Sequence, residues 1–157
     1  ARVDKEWIDG AEYGILAEDY FAKAGRAVKF NSLIPELTVR DIETTKAFYV
    51  GILGFCIEYE RSRDKFVFLS FGDSQMMFEQ YHDSGWNIGD MKYPLGQGIN
   101  FSIDVSGIED FYNSVVATGI TLFQELESVE YDCDGTIEKQ RQFLLQDPDG
   151  YLLRFCE

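Results

Sequence analysis

The sequence predicts an α+β fold built from two consecutive βαβββ modules. Three observations carry this. An alternating apolar and polar run leads into a capped helix at residues 34–54, the same succession returns at 98–119, and three strand candidates follow each helix.

Taken in order, residues 1–29 stand apart. Trp7, Ile8, Tyr13, Ile15, Leu16, Tyr20 and Phe21 recur at helical spacing, which predicts a helix over about 12–24 packing its apolar face on the main body or on a second subunit. The boundary falls near residues 25–29, so 1–29 is an extension and 30–157 the main domain.

The first module spans 33–81. In residues 34–40, Pro35, Leu37 and Val39 alternate with Glu36, Thr38 and Arg40, the period of a half-buried strand. Asp41 stands at the N-cap of the following helix, Glu43 favours its positive end, and Gly51 and Gly54 mark its end. Residues 55–59 read as a strand able to lie beside the first. Residues 65–71 and 75–81 form a hairpin across Gly72-Asp73-Ser74. Residues 82–97, rich in Gly, Asp and Asn and bearing Trp86 and Tyr93, read as a linker loop long enough to serve as a lid. The second module, 98–157, repeats the scheme: an alternating strand at 99–105, a helix from Gly107 to about Gly119, and strands at 121–127, 140–146 and 151–156. Asp147-Pro148-Asp149-Gly150 is the turn between the last two.

Composition narrows the function. The net charge is −14, and residues 30–157 hold 22 of the 28 acids but 9 of the 14 bases. A phosphate backbone needs a basic footprint, so nucleic acid is excluded as a partner, while cationic ligands are attracted. Solubility is the commoner reason for such a surface. Three cysteines without C-x-x-C spacing argue against a disulfide framework or zinc knuckle. With neither a basic-then-apolar leader nor a long apolar run, the reading is a soluble cytoplasmic protein without a membrane partner.

The repeat, with TVRD, AFY and LGF in the first module, GINFSIDV in the second and a terminal DPDGYLLRF, resembles the vicinal oxygen chelate superfamily of glyoxalases, extradiol dioxygenases and bleomycin-resistance proteins. The resemblance covers about residues 30–157. It implies modules that curve a mixed sheet into a cup, with metal ligands on the cup face in the metal-dependent members. Carried over by motif, the histidine positions fall on Ile34 and Gly98 and the terminal carboxylate on Arg154, leaving Glu79 as the one carboxylate retained. Neither Ile nor Gly has a ligating side-chain atom, and a guanidinium repels a divalent cation, so neither metal nor another cofactor is expected. His82, the single histidine, reads as a turn residue.

Strand parity sends Leu33, Leu37, Val39, Ile99, Phe101 and Ile103 to the helices. The opposite face then holds Glu36, Thr38, Glu79, Tyr81, Asn100, Ser102 and Arg154, a lining suited to an organic ligand. Arg154 has two readings, a ligand contact or, the one favoured, an internal pair with Glu79 or Glu36. Trp86 and Tyr93 stack on a planar ligand or anchor a subunit interface. The resemblance is closest to the metal-free bleomycin-resistance branch, which implies a homodimer sequestering a small organic molecule, a cationic drug among the candidates, without chemistry. The competing expectation is an enzyme of the same fold, using a metal on non-standard ligands or an acid–base pair such as Glu36 and Glu79.

Overall fold

The computed structural model describes residues 27–157, so the helix expected at about 12–24 lies outside the described residues. The chain divides into two compact units, Ala1–Trp86 and Asn87–Glu157.

In the first unit, β1 (Glu36–Val39) leads into helix α1 (Ile42–Lys46), which continues as a π-helical segment, Ala47–Ile52. Strands β2 (Cys56–Arg61), β3 (Phe66–Phe71) and β4 (Ser74–Gln80) follow. Asp41 caps α1: its carboxylate accepts from the Thr44 amide at 2.9 Å and from the Thr44 hydroxyl. These hydrogen bonds hold its pKa below the ordinary aspartate value. The wider turns beyond Lys46 bring Tyr49, fully buried, to 4.5 Å from Phe78 and 5.2 Å from Phe55, ring centre to ring centre.

The sheet order is β1-β4-β3-β2, with β1 parallel to β4. The strand after the helix therefore does not lie beside the first, as expected from sequence; β2 forms the opposite edge. The reason lies in the match of buried faces. Strands β2 to β4 form an antiparallel meander with two edges. At the β4 edge Phe78, fully buried, pairs in register with Leu37, whereas β2 carries no buried residue. Leu33, expected to pack on the helix, is 84% exposed, because the strand period begins only at Glu36.

The second unit repeats this order with β5 (Asn100–Asp104), α2 (Ile108–Ala117), β6 (Gln124–Cys133), β7 (Thr136–Gln146) and β8 (Leu152–Cys156), arranged β5-β8-β7-β6. Ile103, Phe155 and Phe143 share one row of the helix-facing side, and Phe111 of α2 lies 4.9 Å from the Phe155 ring. Ile99, assigned to the helix side by parity, is 47% exposed because it precedes the strand. The β6 and β7 strands are longer than the predicted 121–127 and 140–146. They continue as a two-stranded ribbon turned by Asp134 and Gly135, both at positive φ (56° and 86°), the conformation of tight hairpins. Since β8 pairs with β7 only over Gln142–Gln146, the outer ribbon has no third strand among the described residues.

The 147–150 turn is closed by its own side chain. Asp147 Oδ1 accepts from the amides of Asp149 and Tyr151, each at 2.9 Å, and Leu95 N–H donates to the Asp149 carbonyl at 2.8 Å. Among the described residues no helix is long and apolar enough to cross a membrane.

Candidate functional site

Among the described residues each sheet has one face that carries no helix, and the strand registers put Glu36, Thr38 and Glu79 on that face of the first sheet and Asn100, Ser102 and Arg154 on that of the second; Tyr81 and Trp86 lie outside the strands. On the first sheet, one row reads Thr38, Glu79, Phe66, Arg61 and the next Glu36, Met77, Phe68, Tyr59. Both rows mix carboxylates with aromatics. Arg61 stacks its guanidinium 3.7 Å from the centre of the Phe66 ring. Ser70 donates to Glu58 at 2.5 Å. Glu79 Oε1 lies 3.5 Å from His82 Nε2, and His82 Nδ1 lies 3.0 Å from Ser84 Oγ. Tyr81 sits just beyond β4, half exposed, its amide donating to the Val39 carbonyl. Trp86 is 97% exposed.

The helix-free face of the first sheet is crossed by the chain itself. Gln75 accepts from the Asn31 amide at 2.8 Å and donates to the Lys29 carbonyl at 2.6 Å, and Asn31 Nδ2 donates to the Asp73 carbonyl. This clasp sets the Phe30 ring parallel to Phe68 at 5.4 Å, with Tyr59 edge-on at 6.4 Å. Beside it a cleft of about 470 Å³ is lined by Lys29, Asn31, Cys56, Glu58, Ser70 and Gln75, among others. Nothing local in the sequence announced this strap, since its hydrogen bonds join residues more than forty positions apart.

On the second sheet, Ser102, Arg154 and Leu144 form the central row. Asn100 and Leu152 lie on one side and Cys156, Gln142 and Glu127 on the other. Gln142, buried, donates to Glu127 at 3.0 Å and accepts from the Tyr131 hydroxyl at 3.1 Å; Ser102 Oγ is 3.3 Å from Cys156 Sγ. Arg154 differs from its neighbours. Its Nε is buried and has no hydrogen-bond partner, and it forms no ion pair among the described residues. The same parity that places Arg154 at the centre of the sheet sets it between Ser102 and Leu144, neither of which carries a charge.

The family model described as Glyoxalase/Bleomycin resistance protein/Dioxygenase superfamily matches residues 29–155. The chain belongs to that superfamily.

A glyoxalase/bleomycin resistance protein/dioxygenase superfamily member from Vibrio splendidus 12B01 is 37% identical, over 77% of this chain and 93% of its own, with a TM-score of 0.36. A glyoxalase/bleomycin resistance protein/dioxygenase from Alicyclobacillus acidocaldarius is 22% identical (80% and 89% covered, TM-score 0.58), and TioX from Micromonospora sp. ML1 is 19% identical (82% and 98% covered, TM-score 0.60). These last two share the fold. No functionally curated protein matches the chain.

Superfamily membership raises the question of a metal, and the donor set does not fit one. Ile34, Gly98 and Arg154 offer no ligand, while Glu79 and His82 supply two donors where three or four are the norm. Among the described residues no three His, Cys, Asp or Glu side chains gather as a metal-binding group. What the superfamily's second-module sheet presents here is a guanidinium with an unused donor, flanked by hydroxyl, amide and apolar groups.

Proposed function

We propose that this chain is a metal-independent small-molecule binding protein of the bleomycin-resistance type, in which Arg154 anchors a carbonyl or carboxylate oxygen of an organic ligand. One observation carries the reading: a buried guanidinium N–H without a partner. Leaving a buried donor unsatisfied costs about 1–3 kcal/mol, more for a charged group, and a ligand oxygen recovers that cost on binding. Ser102 and Asn100 supply further polar contacts on the same face, and Leu144 and Leu152 supply apolar area. The net charge of −14 supports a ligand with a cationic part as well, drawn in at long range and held at its acceptor oxygen. We extend the proposal to a homodimer, with Trp86 and Tyr93 as contacts for a second copy or for the ligand, on the strength of their exposure.

Titration calorimetry with bleomycin-type glycopeptides and with simple aryl carboxylates tests this. Binding of one class, weakened at least tenfold by Arg154→Gln, is the expected result. No heat from either class at millimolar concentration would remove the reading, and stoichiometric metal after gentle purification would remove its metal independence. The enzyme alternative draws on one contact, the Glu79, His82 and Ser84 series. At 3.5 Å the Glu79–His82 separation exceeds that of a hydrogen bond, which makes it the weaker reading.

A further inference from the structure

We propose that the Tyr59–Phe68 platform on the first sheet is a binding site for a planar aromatic cation, and that Phe30 occupies it in this structure. The inference extends the small-molecule reading but uses none of the second-sheet residues. Phe30 lies over Phe68 within 3° of parallel at 5.4 Å and meets Tyr59 at 69°, the two arrangements aromatic rings prefer. A planar ligand would use these contacts in the same way. Phe30 is nevertheless 53% exposed, so its own ring gives up little water by sitting there. It is held by the hydrogen bonds of Asn31 and Lys29 to Gln75 and Asp73, which lie near the surface and open at modest cost.

Charge specifies the ligand. Glu36 stands in the same row as Phe68 and Tyr59, Glu79 in the adjacent one, and Glu58 on the same strand as Tyr59. Arg61, the cation nearest the platform by register, is already turned onto Phe66 and paired with Asp64 at 3.1 Å. Lys29 lines the adjoining cleft, but the three acids outnumber it, and the net negative rim around an aromatic floor favours a flat cation over a flat anion. The cleft of about 470 Å³ beside the strap falls within the range of small-molecule sites.

The test uses the full chain and proflavine, a flat tricyclic cation, followed by fluorescence polarisation. Removing the competing ring with Phe30→Ala is expected to tighten proflavine binding roughly two- to tenfold, the range set by one aromatic pair. Gln75→Ala, which loosens the clasp and leaves every ring in place, is expected to tighten it less. Adding Tyr59→Leu to Phe30→Ala is expected to cancel the gain. Unchanged or weaker binding in Phe30→Ala and Gln75→Ala, or a gain that survives Tyr59→Leu, overturns the proposal. Arg154→Gln separates the two readings: it leaves proflavine binding unchanged if the platform is the site, whatever its effect on carboxylates.

Discussion

Replacing Gly150 with alanine should cost far more than the same change at Gly119, and the difference measures how tightly the 147–150 turn is held against residues 94–95. Both glycines have positive φ, 93° and 81°, so alanine is strained at either by about 1–2 kcal/mol. At Gly119 a new Cβ would meet nothing within 4 Å. At Gly150 it would lie 2.5 Å from Pro94 Cβ, 2.7 Å from Pro94 Cα and 3.2 Å from the Leu95 amide nitrogen. Two of these neighbours are backbone atoms, and the Leu95 amide is committed to the Asp149 carbonyl. Relief therefore requires the turn and the loop to separate, breaking that bond and uncovering Leu95, which is 6% exposed. An overpacking cost of about 1–3 kcal/mol adds to the φ strain, giving roughly 2–5 kcal/mol in all. For a chain of this size each kcal/mol moves the midpoint by about 2–4 °C. Thermal melts followed by circular dichroism should show Gly150→Ala falling several degrees below Gly119→Ala. Equal midpoints for the two variants would show that the turn and loop are free to part, and the packing argument would fail.

Two further outcomes follow from titrating groups. Burial, with Asp147 and Asp149 adding to it, pushes the Tyr151 hydroxyl up to about 12, so between about pH 10 and 12 the unfolded chain loses this proton before the folded one. Stability from this group is whole below pH 10 and falls as pH rises to 12, by about 1–2 kcal/mol after allowance for solvent screening; Tyr151→Phe should flatten that part of a pH series of urea melts. Asp41 behaves in the opposite sense. Its pKa is lowered by Thr44, so its contribution is present above the ordinary aspartate value and lost as pH falls through the folded value; Asp41→Ala should cost about 1 kcal/mol at neutral pH and progressively less in acid.

Much of this architecture was legible in the residues, because alternation and capping are local. Leu37 and Val39 declared the buried side of β1, Asp41 the start of α1, and Asp147 to Gly150 the last turn. The neighbour of β1 was not legible. Which edge of a meander closes on a parallel strand depends on how Phe78 and Leu37 meet across some forty residues. The outer ribbon was missed although Asp134-Gly135 is a strong hairpin signal, since Val129, Tyr131 and Cys133 alternate among charges with no core to face. At the candidate site, parity placed Glu79, Ser102 and Arg154 but could not reveal pairing. The unpartnered Nε of Arg154 and the stacking of Phe30 both depend on which distant segments folding brings alongside them.

The edge strand β6 has β7 as its one neighbour in the sheet along its whole length, and an edge of this kind is the geometry that invites a stray strand from another molecule to add on. Its sequence answers that risk. Glu125, Glu127, Glu130 and Asp132 spread four negative charges along ten residues, and a second copy approaching edge to edge would bring the same four. These carboxylates thus guard the edge against strand addition, and neutralising them is expected to turn it into a seed for aggregation.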